Sequence, residues 1–96
     1  MAALAKDEVK ARLSAMAGWE QDGDEIEKKF GFADFRESMA FVNAVAALAN
    51  AADHHPDISI KYNKVTLTLS THSEGGLTEK DFALAAQIDA AAPASE

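Results

Sequence analysis

The stretch Asp53-His54-His55-Pro56-Asp57 is where this chain changes its period. A proline disfavours helical backbone at the residue before it. A helix arriving from the N-terminal side must therefore end near Ala52 or Asp53, and the segment beyond it must be extended. Upstream, Phe35, Met39, Val42, Ala46 and Ala49 share one stripe at helical spacing, and Phe41, Val45 and Leu48 widen it. Asp34 is the expected N-cap, with Glu37 three residues on as its capping-box partner. Downstream, Ile58, Ile60 and Tyr62 alternate with Asp57, Ser59 and Lys61. Val65, Leu67 and Leu69 then alternate with Thr66, Thr68 and Ser70. Period two is the signature of half-buried strands. Asn63-Lys64 is the expected turn, since Asn tolerates a left-handed backbone, and it would pair Tyr62 with Val65. The two adjacent histidines are thus placed at a helix-to-strand junction.

The remaining segments obey the same logic. Ala5 to Met16 reads as a helix with Val9, Leu13 and Met16 on one face, ended by Gly18. Trp19-Glu20-Gln21 reads as a short strand turned by Asp22-Gly23-Asp24, and Ile26 to Phe32 as a second strand. Lys28 breaks the apolar alternation of that second strand, which predicts a position near a sheet edge. Thr78 caps a last helix, with Asp81 as its partner and Phe82, Leu84, Ala85 and Ile88 as its apolar side. The tail from Ala90 to Glu96 is expected to fray. The order is α-β-β-α-β-β-α. It predicts one α+β domain over residues 1–96, a four-stranded antiparallel sheet with three helices packed on one face.

Composition removes several classes of function. A chain of 96 residues can bury roughly 60–70% of its unfolded surface, enough for one core without staples. The net charge of -7 argues against direct contact with nucleic acid and against attraction to an anionic membrane. The absence of cysteine excludes disulfides, thiolate catalysis and Cys-type zinc sites. No apolar run reaches membrane-spanning length, and the N-terminus turns acidic at Asp7-Glu8, too early for a secretory signal. The expectation is a soluble cytoplasmic protein.

Histidine is the side chain whose unperturbed pKa lies nearest neutral pH, and all three in this chain, His54, His55 and His72, flank one predicted hairpin. Successive side chains on extended backbone point to opposite faces, so His54 and His55 are expected to do different work. With Tyr62 opposite Val65, His72 would lie near His55 and Pro56 at the open end of the hairpin. The rings would then gather beside Asp53, Asp57 and the Ser73-Glu74 loop. Two imidazoles flanking a small molecule can serve as acid and base, and nearby carboxylates can fix their tautomers.

The residues Asp53-His54-His55-Pro56, Tyr62, Thr71-His72, Gly75-Gly76-Leu77-Thr78 and Asp81 resemble the pterin-4a-carbinolamine dehydratases. Tyr62 to Val65 and Leu69 to His72 are especially close to the family pattern, and Ala17-Gly18-Trp19 and Phe30 to Phe35 also fit, so the resemblance covers nearly the whole chain. It implies a hydro-lyase that dehydrates 4a-hydroxytetrahydrobiopterin, the by-product of aromatic amino acid hydroxylases, to quinonoid dihydrobiopterin during tetrahydrobiopterin recycling. It implies no metal and no redox cofactor, the pterin being the substrate. Carried over by position, His54 and His72 are the acid/base pair, and His55 completes the catalytic set. Substrate is lined by His54, His55, Pro56, Thr71, His72, Ser73 and Glu74. Asp53, Asp81, Asn50 and Trp19 support the site. Many members carry an acidic residue one turn before the first histidine; Asn50 stands there, and weaker binding or a moved pH optimum is the expected consequence. The resemblance also implies a homo-oligomer, dimer or tetramer, and the alanine-rich stretch 44–52 suits close packing.

Other readings remain beside this one. Adjacent histidines fit neither His-x-His strand sites nor helical ligands three or four apart, although His72 could add a third metal ligand. Trp19 reads equally as core or as the wall of a substrate pocket. Phe30, Phe32, Phe35 and Phe41 read as core, and Met16 and Met39 as core filler. Some animal members of the family bind a homeodomain transcription factor and stabilise its dimer. The alternative function is therefore a non-catalytic interaction module, a partner of a transcription factor or of a hydroxylase.

Overall fold

In a computed structural model, which describes residues 3–92, the elements are α1 (Lys6–Ser14), β1 (Glu20–Asp22), β2 (Glu25–Gly31), α2 (Phe35–Ala52), β3 (Asp57–Lys61), β4 (Lys64–Leu69), a 3-10 turn (His72–Glu74) and α3 (Glu79–Ala91). The order α-β-β-α-β-β-α is the one expected. The strands form one antiparallel sheet in the order β1-β2-β4-β3. Ile26 lies opposite Leu69, Phe30 opposite Val65, and Ile58 opposite Leu67. This register sends Ile26, Phe30, Val65, Leu67 and Leu69 to the helix side, where each is buried. Burying side chains of this size contributes roughly 1.5–3 kcal/mol apiece.

β2 lies beside the outer strand β1, which pairs with it only at Glu25, Ile26 and Glu27, so Lys28 stands near the sheet edge, as expected. The lysine sits on the helix side but reaches the rim of the core. Its ammonium donates to the Ala17 carbonyl at 3.1 Å and pairs with Asp89 of α3 at 2.9 Å. Its stem lies over Gly18, where a Cβ would meet Lys28 Cε at 2.8 Å and where φ is +90°. The positive φ is what favours glycine there, since the flexible lysine stem could shift. α1 ends at Ser14, two residues before the expected boundary. α3 carries Ala90 and Ala91 as helix; the rest of the tail expected to fray, 93–96, lies outside the described residues.

α2 buries a stripe rotated from the expected one: Ser38, Phe41, Val42, Val45 and Ala49. Ser38 can take a buried place because its hydroxyl donates to the Asp34 carbonyl at 3.1 Å. Phe35, expected in the core, is 48% exposed at the first helical residue. Phe30, Phe32 and Phe41 do cluster, with ring centroids 4.8 Å and 5.1 Å from Phe41. The Asp34 cap forms, accepting from the Glu37 N–H at 2.9 Å, but Glu37 turns to the N–H of Ala33 rather than closing a reciprocal box.

The turn of the β3–β4 hairpin lies one residue earlier than expected. Lys61 pairs with Lys64, so the turn is Tyr62-Asn63 and Tyr62, not Asn63, carries the positive φ of 52°. The cause is Asn63 itself. Its side-chain amide donates to the Phe32 carbonyl at 3.0 Å and its own carbonyl accepts from the Phe32 N–H at 2.8 Å, which locks Asn63 against the end of β2. Tyr62, expected half-buried, is 64% exposed.

Candidate functional site

α2 ends as Pro56 requires, and the way it ends aims His54. Asp53 adopts the left-handed conformation (φ 52°, ψ 42°). Its N–H bonds to the Asn50 carbonyl at 3.2 Å, and the His54 N–H reaches the Ala49 carbonyl at 3.1 Å. This is a Schellman motif with Asp where glycine is usual. The reversal turns His54 inward, toward the start of α3, and its side chain is only 11% exposed.

His54 Nε2 lies 2.6 Å from Asp81 Oδ1. Asp81 is fully buried, as is Thr78, and Thr71 is 4% exposed. The second oxygen of Asp81 accepts from the Thr71 hydroxyl at 2.8 Å and from the Thr78 N–H at 2.9 Å. The Thr71 and Thr78 hydroxyls lie 2.8 Å apart, and Thr78 Oγ1 accepts from the Lys80 N–H at 3.2 Å. A buried carboxylate is tolerable only when hydrogen-bonded in this way. Asp81 is the third residue of α3 and forms a complete capping box with Thr78. One carboxylate thus caps a helix with one oxygen and holds a histidine with the other.

His55 points elsewhere, as the change of backbone predicts. It is exposed, and its Nε2 lies 2.9 Å from Asn50 Oδ1, one turn back on α2. Pro56 is half-buried and Asp53 is exposed at the helix cap. His72 does not continue the strand, which corrects its expected place opposite His55. β4 stops at Leu69, and Thr71 forms an isolated bridge with Gly76 that closes a small loop. His72, Ser73 and Glu74 form the 3-10 turn inside that loop, all exposed, and Gly75 closes it at φ 76°. The loop is rooted in the buried network through Thr71.

The structure therefore brings His54, Thr71 and Asp81 into one bonded cluster and carries His72, Ser73 and Glu74 on its rim. Trp19 belongs to the core: it is 4% exposed, edge-on to Phe30, with its indole N–H donating to Asp89 at 3.0 Å. Sequence alone marked Thr78 only as a helix cap. The signal that could have found it was there, since the capping partner of Thr78 is the same Asp81 that completes the histidine pattern. Among the described residues no group of three or more His, Asp or Glu side chains is placed to hold a metal ion. A histidine hydrogen-bonded to a buried carboxylate is the arrangement that orients a general acid or base.

Comparison with known proteins agrees with this geometry. The sequence profile of the family described as pterin 4 alpha carbinolamine dehydratase matches residues 2–91. A Roseiflexus castenholzii protein provisionally named pterin-4-alpha-carbinolamine dehydratase is 58% identical over 90 residues, 93% of this chain and 97% of its own length. Among solved structures, a transcriptional coactivator/pterin dehydratase from Brucella melitensis superposes with a TM-score of 0.91 at 36% identity, over 95% of this chain and 99% of that one. A pterin dehydratase-like protein identified as a RuBisCO assembly factor in the alpha-carboxysome superposes with a TM-score of 0.65 at 31% identity, over 80% of this chain and 89% of that one. The chain belongs to the pterin 4 alpha carbinolamine dehydratase family.

Proposed function

We propose that this protein is a hydro-lyase that dehydrates a 4a-hydroxytetrahydropterin, 4a-hydroxytetrahydrobiopterin in tetrahydrobiopterin recycling, to the quinonoid dihydropterin. The C4a–O bond breaks, a proton joins the departing hydroxyl to make water, and the adjacent ring nitrogen loses its proton as the C4a=N bond forms. One group that gives a proton and one that takes a proton are enough, with no metal or redox cofactor. The observation that carries the reading is the His54–Asp81 contact of 2.6 Å, a histidine oriented by a fully buried carboxylate. His54 and His72 are the acid/base pair, and His55, held at Asn50, lines the substrate with Pro56, Ser73 and Glu74. The reading assigns a cytoplasmic location; among the described residues no helix is long and apolar enough to cross a membrane.

The test is the rate of 4a-hydroxytetrahydropterin dehydration for the wild type, His54→Ala and His72→Ala. The wild type should exceed the uncatalysed rate, and each variant should lose about 10²–10⁴-fold while remaining folded. A wild-type rate equal to the uncatalysed one ends the proposal.

Self-association belongs to the same reading. β3 is an outer strand of the sheet, with Ile58 38% and Tyr62 64% exposed beside it, a surface that natural sheets seldom leave open. Light scattering should give the mass of a dimer or tetramer. A second reading, an interaction module, draws on the names of the two structural neighbours, a coactivator and a RuBisCO assembly factor. Affinity purification from the native host that yields homo-oligomers alone counts against it.

A further inference from the structure

With Asp81 ionised, the hydrogen bonds around it allow only one placement of their protons. The main-chain N–H groups of Thr78 and Lys80 are donors by necessity, to Asp81 Oδ2 and to Thr78 Oγ1. A hydroxyl has a single proton to give. An ionised carboxylate accepts only, so the 2.8 Å contact between Thr71 Oγ1 and Asp81 Oδ2 uses the proton of Thr71. The 2.8 Å contact between the two threonine hydroxyls must then use the proton of Thr78. The reverse assignment would set two bare acceptors 2.8 Å apart at Asp81. The remaining contact, 2.6 Å between Asp81 Oδ1 and His54 Nε2, has to be donated by the ring.

We infer that Asp81 holds His54 in the tautomer protonated at Nε2, which leaves Nδ1 as the atom that exchanges a proton with substrate, and that Thr71 is a positioning residue that fixes Asp81. Thr71 is 4% exposed and its one proton is engaged with Asp81, so its hydroxyl is turned away from any ligand on the surface of the site. This departs from the place among the substrate-lining residues that the family pattern implies for it. Donation runs from Lys80 N–H to Thr78 to Thr71 to Asp81, where it meets the proton donated by His54, and this ties the ring to the first turn of α3. Donors at a helix N-terminus favour negative charge, so the carboxylate is held there as an acceptor.

The inference rests on the dehydratase reading only for what Nδ1 acts upon; the tautomer is measurable without substrate. Long-range ¹H–¹⁵N correlation on histidine-labelled protein, at a pH where the His54 ring is neutral, should show Nε2 protonated and Nδ1 bare, with the signal assigned by its loss in His54→Gln. A proton on Nδ1, or a mixture of tautomers, overturns the inference. Thr71→Val keeps the shape and deletes the hydroxyl. It should leave the tautomer in place, since Asp81 Oδ1 still accepts from the ring, and lower kcat about 10–100-fold, the range found where a hydrogen-bond partner that orients a ligating histidine is removed. KM should stay nearly constant, and Thr71→Ser should restore kcat. A Thr71→Val enzyme that raises KM at unchanged kcat shows a substrate contact instead and overturns the inference. Should Thr71→Val fail to fold, the wild-type spectrum and the Thr71→Ser kinetics decide. An inactive wild type with the Nε2–H spectrum would defeat the dehydratase reading and leave the tautomer standing.

Discussion

Asp81 is the residue whose environment is most demanding, because a carboxylate without solvent must find every partner within the fold. It accepts from Thr71, Thr78 and His54, three groups delivered by three segments. An amide at this place has one acceptor oxygen and two protons to give, so it cannot accept from all three. Asp81→Asn is predicted to cost about 1–3 kcal/mol of stability and to lower the dehydration rate about 10²–10⁴-fold, as loss of a histidine orienter does elsewhere. Urea denaturation and steady-state kinetics measure the two effects, and a folded Asp81→Asn enzyme with full activity would remove Asp81 from its role. The residue pattern announced Asp81 and the three histidines by their spacing, but not which oxygen meets which ring. Nor did it announce that His55 turns back to Asn50 at 2.9 Å while His54 crosses to α3. Those directions are consequences of a left-handed Asp53, a choice made by the helix end and invisible in residue type.

At the scale of elements, periodicity located the three α-helices and four strands of the described residues, and the errors lie in phase and in the 3-10 turn at His72–Glu74. α2 shows why. An apolar stripe drawn through Phe35, Met39 and Val42 ignores Ser38, which is fully buried because its hydroxyl is satisfied within the helix. The true stripe is turned accordingly, and Phe35 faces out. Phe41→Ala is predicted to cost about 3–5 kcal/mol, the usual range for a deleted core aromatic. Phe35→Ala should change stability by about 0.5 kcal/mol or less. Chemical denaturation of both variants checks the contrast, and equal losses would refute it. The hairpin gives the second case. Tyr62 occupies the left-handed region that a bulky side chain enters at a cost of roughly 1–2 kcal/mol. Tyr62→Asn is predicted to stabilise the fold by about 0.5–1 kcal/mol, because Asn enters that region more easily and Tyr62 is 64% exposed, with little packing to lose. A lower melting temperature for this variant would show that the ring has a partner across an interface. α1 and α3 are joined by Arg12 and Glu79, at 2.6 and 2.5 Å. The Glu79 hydrogen bond raises the Arg12 guanidinium above its ordinary range. A cation raised on folding lends stability below its unfolded pKa and loses it only as pH climbs through the folded one, so on the arginine side this tie persists at every working pH.

Across the whole molecule, the candidate site exists only when the end of α2, the end of β4 and the start of α3 are in place together. The single tryptophan lies in the core, bonded through Asp89 to the far part of α3. Denaturation followed by Trp19 fluorescence and by the His54 resonance is therefore predicted to give one coincident transition. Loss of the His54 signal ahead of the fluorescence change would mean that the site opens on its own. The class of fold, the order of elements, the helix stop at Pro56 and the residues that resemble a known catalytic pattern were all legible in the order of the amino acids. Each depends on neighbours along the chain: which face an alternation presents, which residue caps a helix, which backbone a proline forbids. It took the folded molecule to tie Lys28 to Asp89, to draw His72 off the strand into a 3-10 turn, and to set Thr71 against Asp81. These outcomes depend on which distant group offers a hydrogen bond. The Asn63–Phe32 pair moves a turn by one residue, Asp89 draws Lys28 to the core rim, and a buried carboxylate collects its donors from wherever the packing supplies them.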